Sequence, residues 1–344
     1  MKVSTSLMAK LFFTGAISLL GAKAIAQVAY TAWPTTTTVV TVNTGTFGGN
    51  MSGLFYEPAT LWAVQNSPSK LFKMVPSGSN FVKDTTNGWS SGKTLRYPNG
   101  SGAPDAEGIT KGELTSTTIY VATERDGSGN SKLSVLEYET SGSATTLNAT
   151  KEWNLTSNLP SVSSNAGLEA IAWVPDSYLV ANGFIDESTS AAYDPTRYSS
   201  HGTGLFFVGL EANGKIYAYA LKSDSTYTKI ATISSGNNKI MDLSFDRDNN
   251  TLWAYCDNNC TNRSNLLAID TTVGSATKGK FIRKKAYEKP SSMANLNNEG
   301  IAMKPNSECN TTTTPPTKDF FWADDSETSG FAIRRGTIPC GPLF

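Results

Sequence analysis

Asp105-Ala106-Glu107-Gly108-Ile109, followed by Ile119-Tyr120-Val121-Ala122-Thr123-Glu124, decides the architecture because the same pattern returns along the chain. An acid opens a short apolar strand, a turn follows, and a second strand ends in a polar residue. It recurs as Gly167-Leu168-Glu169-Ala170-Ile171-Ala172-Trp173 with Tyr178-Leu179-Val180-Ala181-Asn182, and as Met241-Asp242-Leu243-Ser244-Phe245 with Leu252-Trp253-Ala254-Tyr255-Cys256-Asp257. A fourth copy is Asn298-Glu299-Gly300-Ile301-Ala302 with Phe320-Phe321-Trp322-Ala323-Asp324-Asp325. A fifth lacks the acid: Met51-Ser52-Gly53-Leu54-Phe55-Tyr56 with Leu61-Trp62-Ala63-Val64-Gln65-Asn66.

The anchors at 52, 107, 169, 242 and 299 recur at a spacing that four short strands with Gly, Asn, Asp and Ser turns would fill. Further strands read as Lys132–Tyr138 and Lys215–Leu221, the latter after an Asn213-Gly214 hairpin turn. We therefore expect an all-β chain forming a β-propeller of five blades, with room for a sixth between Tyr193 and Ile233. An open sandwich is the alternative. No amphipathic helix stands out beyond the N-terminal segment. The Thr-rich stretch Thr35 to Thr46 alternates like a strand, and pairing it with the C-terminal blade would close the ring and remove both open edges.

In a propeller the innermost strand of each blade lines the central channel. Glu107, Glu169, Asp242 and Glu299 are thus expected to form a carboxylate ring at one mouth. Carboxylates brought close repel strongly, so a cation, Arg or Lys partners, or protons must offset them. Oxygen-only ligation without histidine points to a hard ion, Ca2+ before Mg2+. Equally open is a structural role, in which the acids accept backbone N–H groups of the next blade. Asn66, Glu124, Asp257, Asp324 and Asp325 form a second tier, and Glu124 and Asp324 are the candidate general bases should the site be catalytic.

The composition sets outer limits. The 344 residues carry 29 Lys+Arg, 29 Asp+Glu and one His. Charged residues make up 17%, against roughly 25% in ordinary domains. With 39% hydrophobic residues the chain can bury a core, so disorder is excluded. No Lys/Arg stripe exists to release phosphate counterions, which excludes a nucleic-acid partner. One histidine rules out multi-His zinc sites, and His201 in its Gly-rich loop reads as a packing residue before a catalytic one. The Arg334-Arg335 pair reads as a solvated turn.

Residues 1–26 read as a secretory signal peptide: Lys2 and Lys10, then Leu11 to Leu20, then Ala24-Ile25-Ala26 before Gln27. The apolar run is too short to span a bilayer. Cleavage removes three lysines and no acid, which leaves a mildly acidic chain from 27 to 344, expected to be a single exported domain and a monomer. Four cysteines fit two local bridges, Cys256–Cys260 and Cys309–Cys340. Asn-x-Ser/Thr sequons at Asn50, Asn99, Asn148, Asn154, Asn249, Asn259, Asn262 and Asn310 mark surface loops in a host that glycosylates.

Ser52-Gly53-Leu54 with Leu61 to Asn66, Asp105 to Ile109 and Asn298 to Ala302 resemble the SdiA-regulated group of secreted propellers. They are also similar to the related group labelled "esterase-like activity of phytase". The likeness runs over roughly residues 50 to 340 on short motifs. It implies a periplasmic or extracellular propeller with Ca2+ in its channel. Metal-lactonase propellers are more distant, and Glu107, Asn182 and Asp242 would mimic their ligands.

Two functions follow. One is a non-catalytic binding module for an extracellular protein, glycan or small molecule, with a cation in its channel. The other is a Ca2+-dependent hydrolase of phosphate esters or lactones, with Lys111, Arg125 and Lys239 as a positive rim. The absence of a plain nucleophile or phosphate loop favours binding. Trp62, Tyr120, Trp173, Trp253 and Trp322 serve blade packing under either.

Overall fold

The computed structural model describes residue 1 and residues 28–32, 39–40, 42 and 45–344. The expected signal peptide, Met1 aside, lies outside the described residues. From residue 51 onward the chain builds five blades around one axis, and it is almost entirely strand and turn.

Blade I begins with Met51–Glu57, Thr60–Gln65 and Lys70–Ser77, and Asn80–Lys83, Lys93–Arg96 and Thr146–Asn148 widen it. Blade II is Ala106–Thr110, Thr118–Arg125, Ser131–Glu139 and Lys151–Asn154. Blade III is Leu168–Pro175, Gly204–Leu210, Lys215–Leu221 and Tyr227–Ser234. Blade IV is Asp242–Asp246, Thr251–Tyr255, Ser264–Ile269 and Phe281–Glu288, with Tyr30–Ala32 added in parallel at its edge. Blade V is Asn298–Met303, Thr317–Asp324 and Ile333–Pro339, completed by Val39–Val40. Val39 and Val40 pair antiparallel with Arg335 and Arg334, so the N-terminal segment closes the last blade as its outer strand. The rest of the expected closing stretch, up to Thr44 and apart from Val42, lies outside the described residues.

The first strand of each blade packs on that of the next, and blade V returns to blade I. These strands are covered on both faces, so they read as nearly unbroken buried runs such as Ala106–Thr110 and Leu168–Pro175. Aromatic rings fill the spaces between blades. Tyr120 lies 4.4 Å from Phe206 between blades II and III. Phe207 lies 5.5 Å from Phe281 between III and IV. Trp253 lies 5.2 Å from Phe320 between IV and V, and Tyr56 stacks 5.7 Å from Phe321 between V and I. Lys318 of blade V reaches Asp246 of blade IV at 2.9 Å, and both side chains are buried.

The anchors sit at irregularities in the ladder. Pairing between the first and second strands slips between Met51 and Leu54, Ala106 and Gly108, Leu168 and Ala170, and Asn298 and Gly300. A bulge kinks a strand and re-aims the inserted side chain, which here is Ser52, Glu107, Glu169 or Glu299. Blade IV has no slip, and Asp242 pairs in register with Tyr255. The glycine after the anchor meets the next blade's backbone. A Cβ on Gly300 would stand 2.1 Å from the Ser52 carbonyl oxygen, and one on Gly53 would stand 2.5 Å from that of Glu107.

Several expectations need correction. Tyr178–Asn182 is not the second strand of blade III. Asp176–Ala181 is a short α-helix after Pro175, and the second strand is Gly204–Leu210. Pro175 cannot donate to a ladder and Asp176 sits favourably in a helical first turn, so the chain leaves the sheet there. The stretch from Tyr193 to Ile233 holds no sixth blade, because it supplies the outer strands of blade III. Arg334 and Arg335 are not a solvated turn. They lie in a strand and pair with Asp324 at 2.8 Å and Asp319 at 3.2 Å. Both expected disulfides are formed.

The backbone contact at Gly300 leaves no room for a methyl group. Gly300→Ala should destabilise the protein by about 2–3 kcal/mol, in the range of core overpacking. Gly112→Ala, whose Cβ would stop 3.6 Å from the Trp173 ring, should be nearly neutral. Equal urea midpoints for the two variants would contradict this account of the ring.

Candidate functional site

The bulges bring Glu107, Glu169 and Glu299 to one mouth of the channel, where the first strands of the blades begin. The cavity there has a volume of about 290 Å3 and is lined by Asn66, Glu107, Glu124, Arg125, Asn165, Glu169, Glu211, Lys239, Met241, Asp257, Asn259, Asn297 and Glu299. Six acids face two bases. Glu107 is 2% exposed and Glu169 5%.

The second tier follows from topology, since each second strand runs back to the mouth where the first began. Glu124 precedes the last residue of its strand in blade II, and Asn66 and Asp257 follow theirs in blades I and IV. The blade III member is Glu211, immediately after Gly204–Leu210. The linear pattern passes over Glu211, because it offers Tyr178–Asn182 as the second strand of that repeat. The signal was present in Leu210-Glu211 ahead of the Asn213-Gly214 turn.

One carboxylate oxygen each from Glu124, Glu169 and Glu211 lie within 4.8 Å of one another, and the same holds for Asp105, Glu107 and Glu124. Glu124 belongs to both groups. Its Oε1 accepts the Gly167 N–H at 2.8 Å, and its carboxyl lies beside that of Glu169. Arg125 pairs with Asp105, lies 3.7 Å from Glu124, and donates to Asn165 at 2.5 Å. Lys239 pairs with Glu211 at 2.5 Å. Glu107 accepts from Asn66 at 3.2 Å, and Glu299 accepts from Asn297 at 3.1 Å. None of Glu107, Glu169 and Glu299 makes an ion pair among the described residues.

Burial therefore dominates their titration. It pushes Glu107 up to about 8, helped by the charges of Asp105 and Glu124. Glu299 rises to about 10, through burial first and then Glu107, Asp325 and Asp257. Glu169 is driven well above the usual carboxylate range by burial and by Glu107, Glu124 and Glu299.

Not every expected residue reaches this cavity. Asp242 is fully buried beneath it and accepts backbone N–H bonds from Leu243 at 2.8 Å, from Ile301 of blade V at 2.6 Å, and from Leu54 of blade I. It fastens three strands, because blade IV lacks the bulge that would aim it at the mouth. Asp324 does not line the cavity either. Arg334 and the Ser326 and Thr328 N–H groups occupy its carboxylate. Lys111 lies at the opposite mouth, 2.6 Å from Glu57, so of the expected positive rim only Arg125 and Lys239 are present. Asn182 caps the short helix, so Glu107, Asn182 and Asp242 do not assemble. His201 is buried in the blade III insertion, 3.0 Å from both Asp176 and the Tyr193 hydroxyl. Cys256–Cys260 closes the loop that carries Asp257, whose carboxylate accepts from Asn259.

No protein-family model matches the chain, and no curated protein matches it. Among solved structures, it is similar to the crystal structure of Myxococcus xanthus glutaminyl cyclase, with 8% identity and a TM-score of 0.41 over 87% of this chain and 94% of that one. The major Malassezia sympodialis allergen Mala s 1 gives 13% identity and a TM-score of 0.40, with 86% and 80% covered. A streptogramin B lyase gives 12% and 0.37, with 86% and 85% covered. Likeness at this level transfers no residue role.

The raised carboxyls fix the sign of a pH dependence in metal-free protein. Between the unfolded value near 4.5 and the folded values of about 8 for Glu107 and about 10 for Glu299, the folded state holds the extra protons. Their stabilising effect is complete below the unfolded value and is lost as pH rises through the folded ones. In chelator, stability should fall by more than about 1.4 kcal/mol from pH 5 to pH 9, the equivalent of one pKa unit. Glu107→Gln should flatten part of that slope. Denaturant midpoints that hold level or rise across this range would refute the assignment.

Proposed function

We propose that the protein is an exported binding propeller whose acidic channel mouth takes a divalent, oxygen-seeking cation, Ca2+ foremost. The observation that carries this reading is the buried triad of Glu124, Glu169 and Glu211, in which one carboxylate oxygen of each lies within 4.8 Å of the others. Buried carboxyls gathered this closely need either protons or a cation. Glu169 makes no ion pair among the described residues, and Arg125 and Lys239 are engaged by Asp105 and Glu211.

Glu124, Glu169 and Glu211 would hold the ion, with Glu107 and Asp105 beside them and the side-chain oxygens of Asn66 and Asn165 within the same lining. An all-oxygen donor set of acids and amides suits Ca2+. Bound there, the ion would offer open coordination positions to a carboxylate, hydroxyl or carbonyl group of an extracellular ligand. Two formed disulfides support an oxidising compartment, and no helix among the described residues is long and apolar enough to cross a membrane.

Binding is favoured over hydrolysis of phosphate esters or lactones. The two basic residues in the lining are already paired with acids, and Asp324, one of the expected bases, lies elsewhere. Glu124, the other, lies beside Glu169 in the triad and fits a ligand better than a base.

The test is thermal melting at pH 8 in chelator, with Ca2+ and with Mg2+. Calcium well above its dissociation constant should raise the melting temperature by at least about 3 °C. Glu169→Gln and Glu124→Gln should abolish the rise while leaving the folded circular dichroism spectrum unchanged. A melting temperature indifferent to both ions would leave protons as the answer and remove the cation site. Turnover of a chromogenic phosphate or lactone, lost in Glu169→Gln, would replace binding by hydrolysis.

A further inference from the structure

The channel has a second mouth, where the first strands of the blades finish. It opens into a cavity of about 240 Å3 whose lining includes Phe55, Tyr56, Leu114, Phe245, Arg247 and Met303. That is below the roughly 300–1,000 Å3 of drug-sized sites, so it suits a small molecule.

Its charges are answered, with one exception. Asp246 is held by Lys318 at 2.9 Å, and Lys304 by Asp319 at 3.1 Å and Glu308 at 3.5 Å. Asp248, exposed at the rim, accepts the Asn306 N–H at 2.6 Å. Arg247 makes no ion pair among the described residues. Its guanidinium lies 4.7 Å from the centre of the Trp173 ring and donates from one nitrogen to the Lys111 carbonyl at 2.6 Å. Glu113 acts on it from beyond ion-pair distance and is itself hydrogen bonded by Thr203 at 2.6 Å. A ring and a carbonyl thus fix the guanidinium in place, while its other N–H donors have no acceptor among the described residues. A fixed planar fork of donors beside an apolar wall is a receptor for a carboxylate attached to a hydrocarbon body.

We propose that this mouth binds a small organic monocarboxylate, with its carboxylate on Arg247 and an aromatic or branched body against Phe55, Phe245 and Met303. Lys304 is already paired with acids, so Arg247 is the cation of this lining left to answer a ligand charge, and it answers one. This site is separate from the acidic mouth and does not depend on a cation there.

Calorimetric titration with 3-phenylpropanoate and its neutral amide tests the proposal. The carboxylate should bind the wild-type protein at least about tenfold more tightly than the amide, the scale of one charge-assisted hydrogen bond. Arg247→Gln should erase the difference. Leu114→Asp, at an exposed position, should weaken both ligands, with unchanged melting temperatures showing that each variant folds. Equal affinity for the two ligands, no binding of either at millimolar concentration, or a preference that survives Arg247→Gln would overturn the assignment.

Discussion

Backbone meets backbone around the axis of this molecule, and that contact sets most of what surrounds it. Gly53, Gly108 and Gly300 each lie against the main chain of the following blade, at distances that exclude a side chain. Burying main chain against main chain is tolerable only where its N–H and C=O groups are satisfied, as they are by the ladders within each blade. A bulge just ahead of each glycine provides the bend that lets the strand approach so closely. The residue inserted by that bulge has nowhere to go but the channel mouth.

This explains why three of the repeated acids share a fate and the fourth does not. Glu107, Glu169 and Glu299 are bulge residues, and they face a polar cavity. Asp242 stands in an unbroken ladder with a shorter side chain, and it turns to the main-chain N–H groups of Leu243, Ile301 and Leu54. Of the two roles open to the acids at the outset, ring-fastening is realised at Asp242. The other three keep carboxyls that no base among the described residues answers directly. The amide groups of Asn66 and Asn297 soften the crowding around two of them without neutralising it.

The fold was legible because the repeat is carried by local chemistry: an acid and a small residue opening an apolar strand, then a turn. Blade count, closure by the Thr-rich segment at Val39–Val40 and both cysteine pairings could be read at that level. The second strand of blade III could not. Tyr178-Leu179-Val180-Ala181 is apolar enough to pass for a strand, and only the Pro175-Asp176 step ahead of it marks a helical turn. That displacement hid Glu211, although it occupies the position that Glu124 and Asp257 hold in their own blades. Bulges are likewise invisible to a reading by period, which gives Asp242 the same anchor position as acids whose backbone it does not share. Pairing partners were the other gap. Nothing in the linear order announces that Arg334 will meet Asp324, or that Lys111 will cross to Glu57 at the far mouth.

The two mouths differ for a reason built into the topology. All five channel strands run the same way, so one mouth gathers strand starts and the other strand ends. At the ends, Lys111 meets Glu57, Lys318 meets Asp246, and Lys304 meets Asp319, each within 3.1 Å. The starts lack that balance, since six acids of the cavity meet two bases and those bases are already held by Asp105 and Glu211. A carboxylate is costly to bury without compensation, and a fold selected for stability alone would replace such residues with amides or apolar side chains. The cost of gathering carboxyls in the channel therefore falls where the strands begin, whereas at their ends Lys–acid pairs answer most of the charge and leave Arg247 without an ion pair among the described residues.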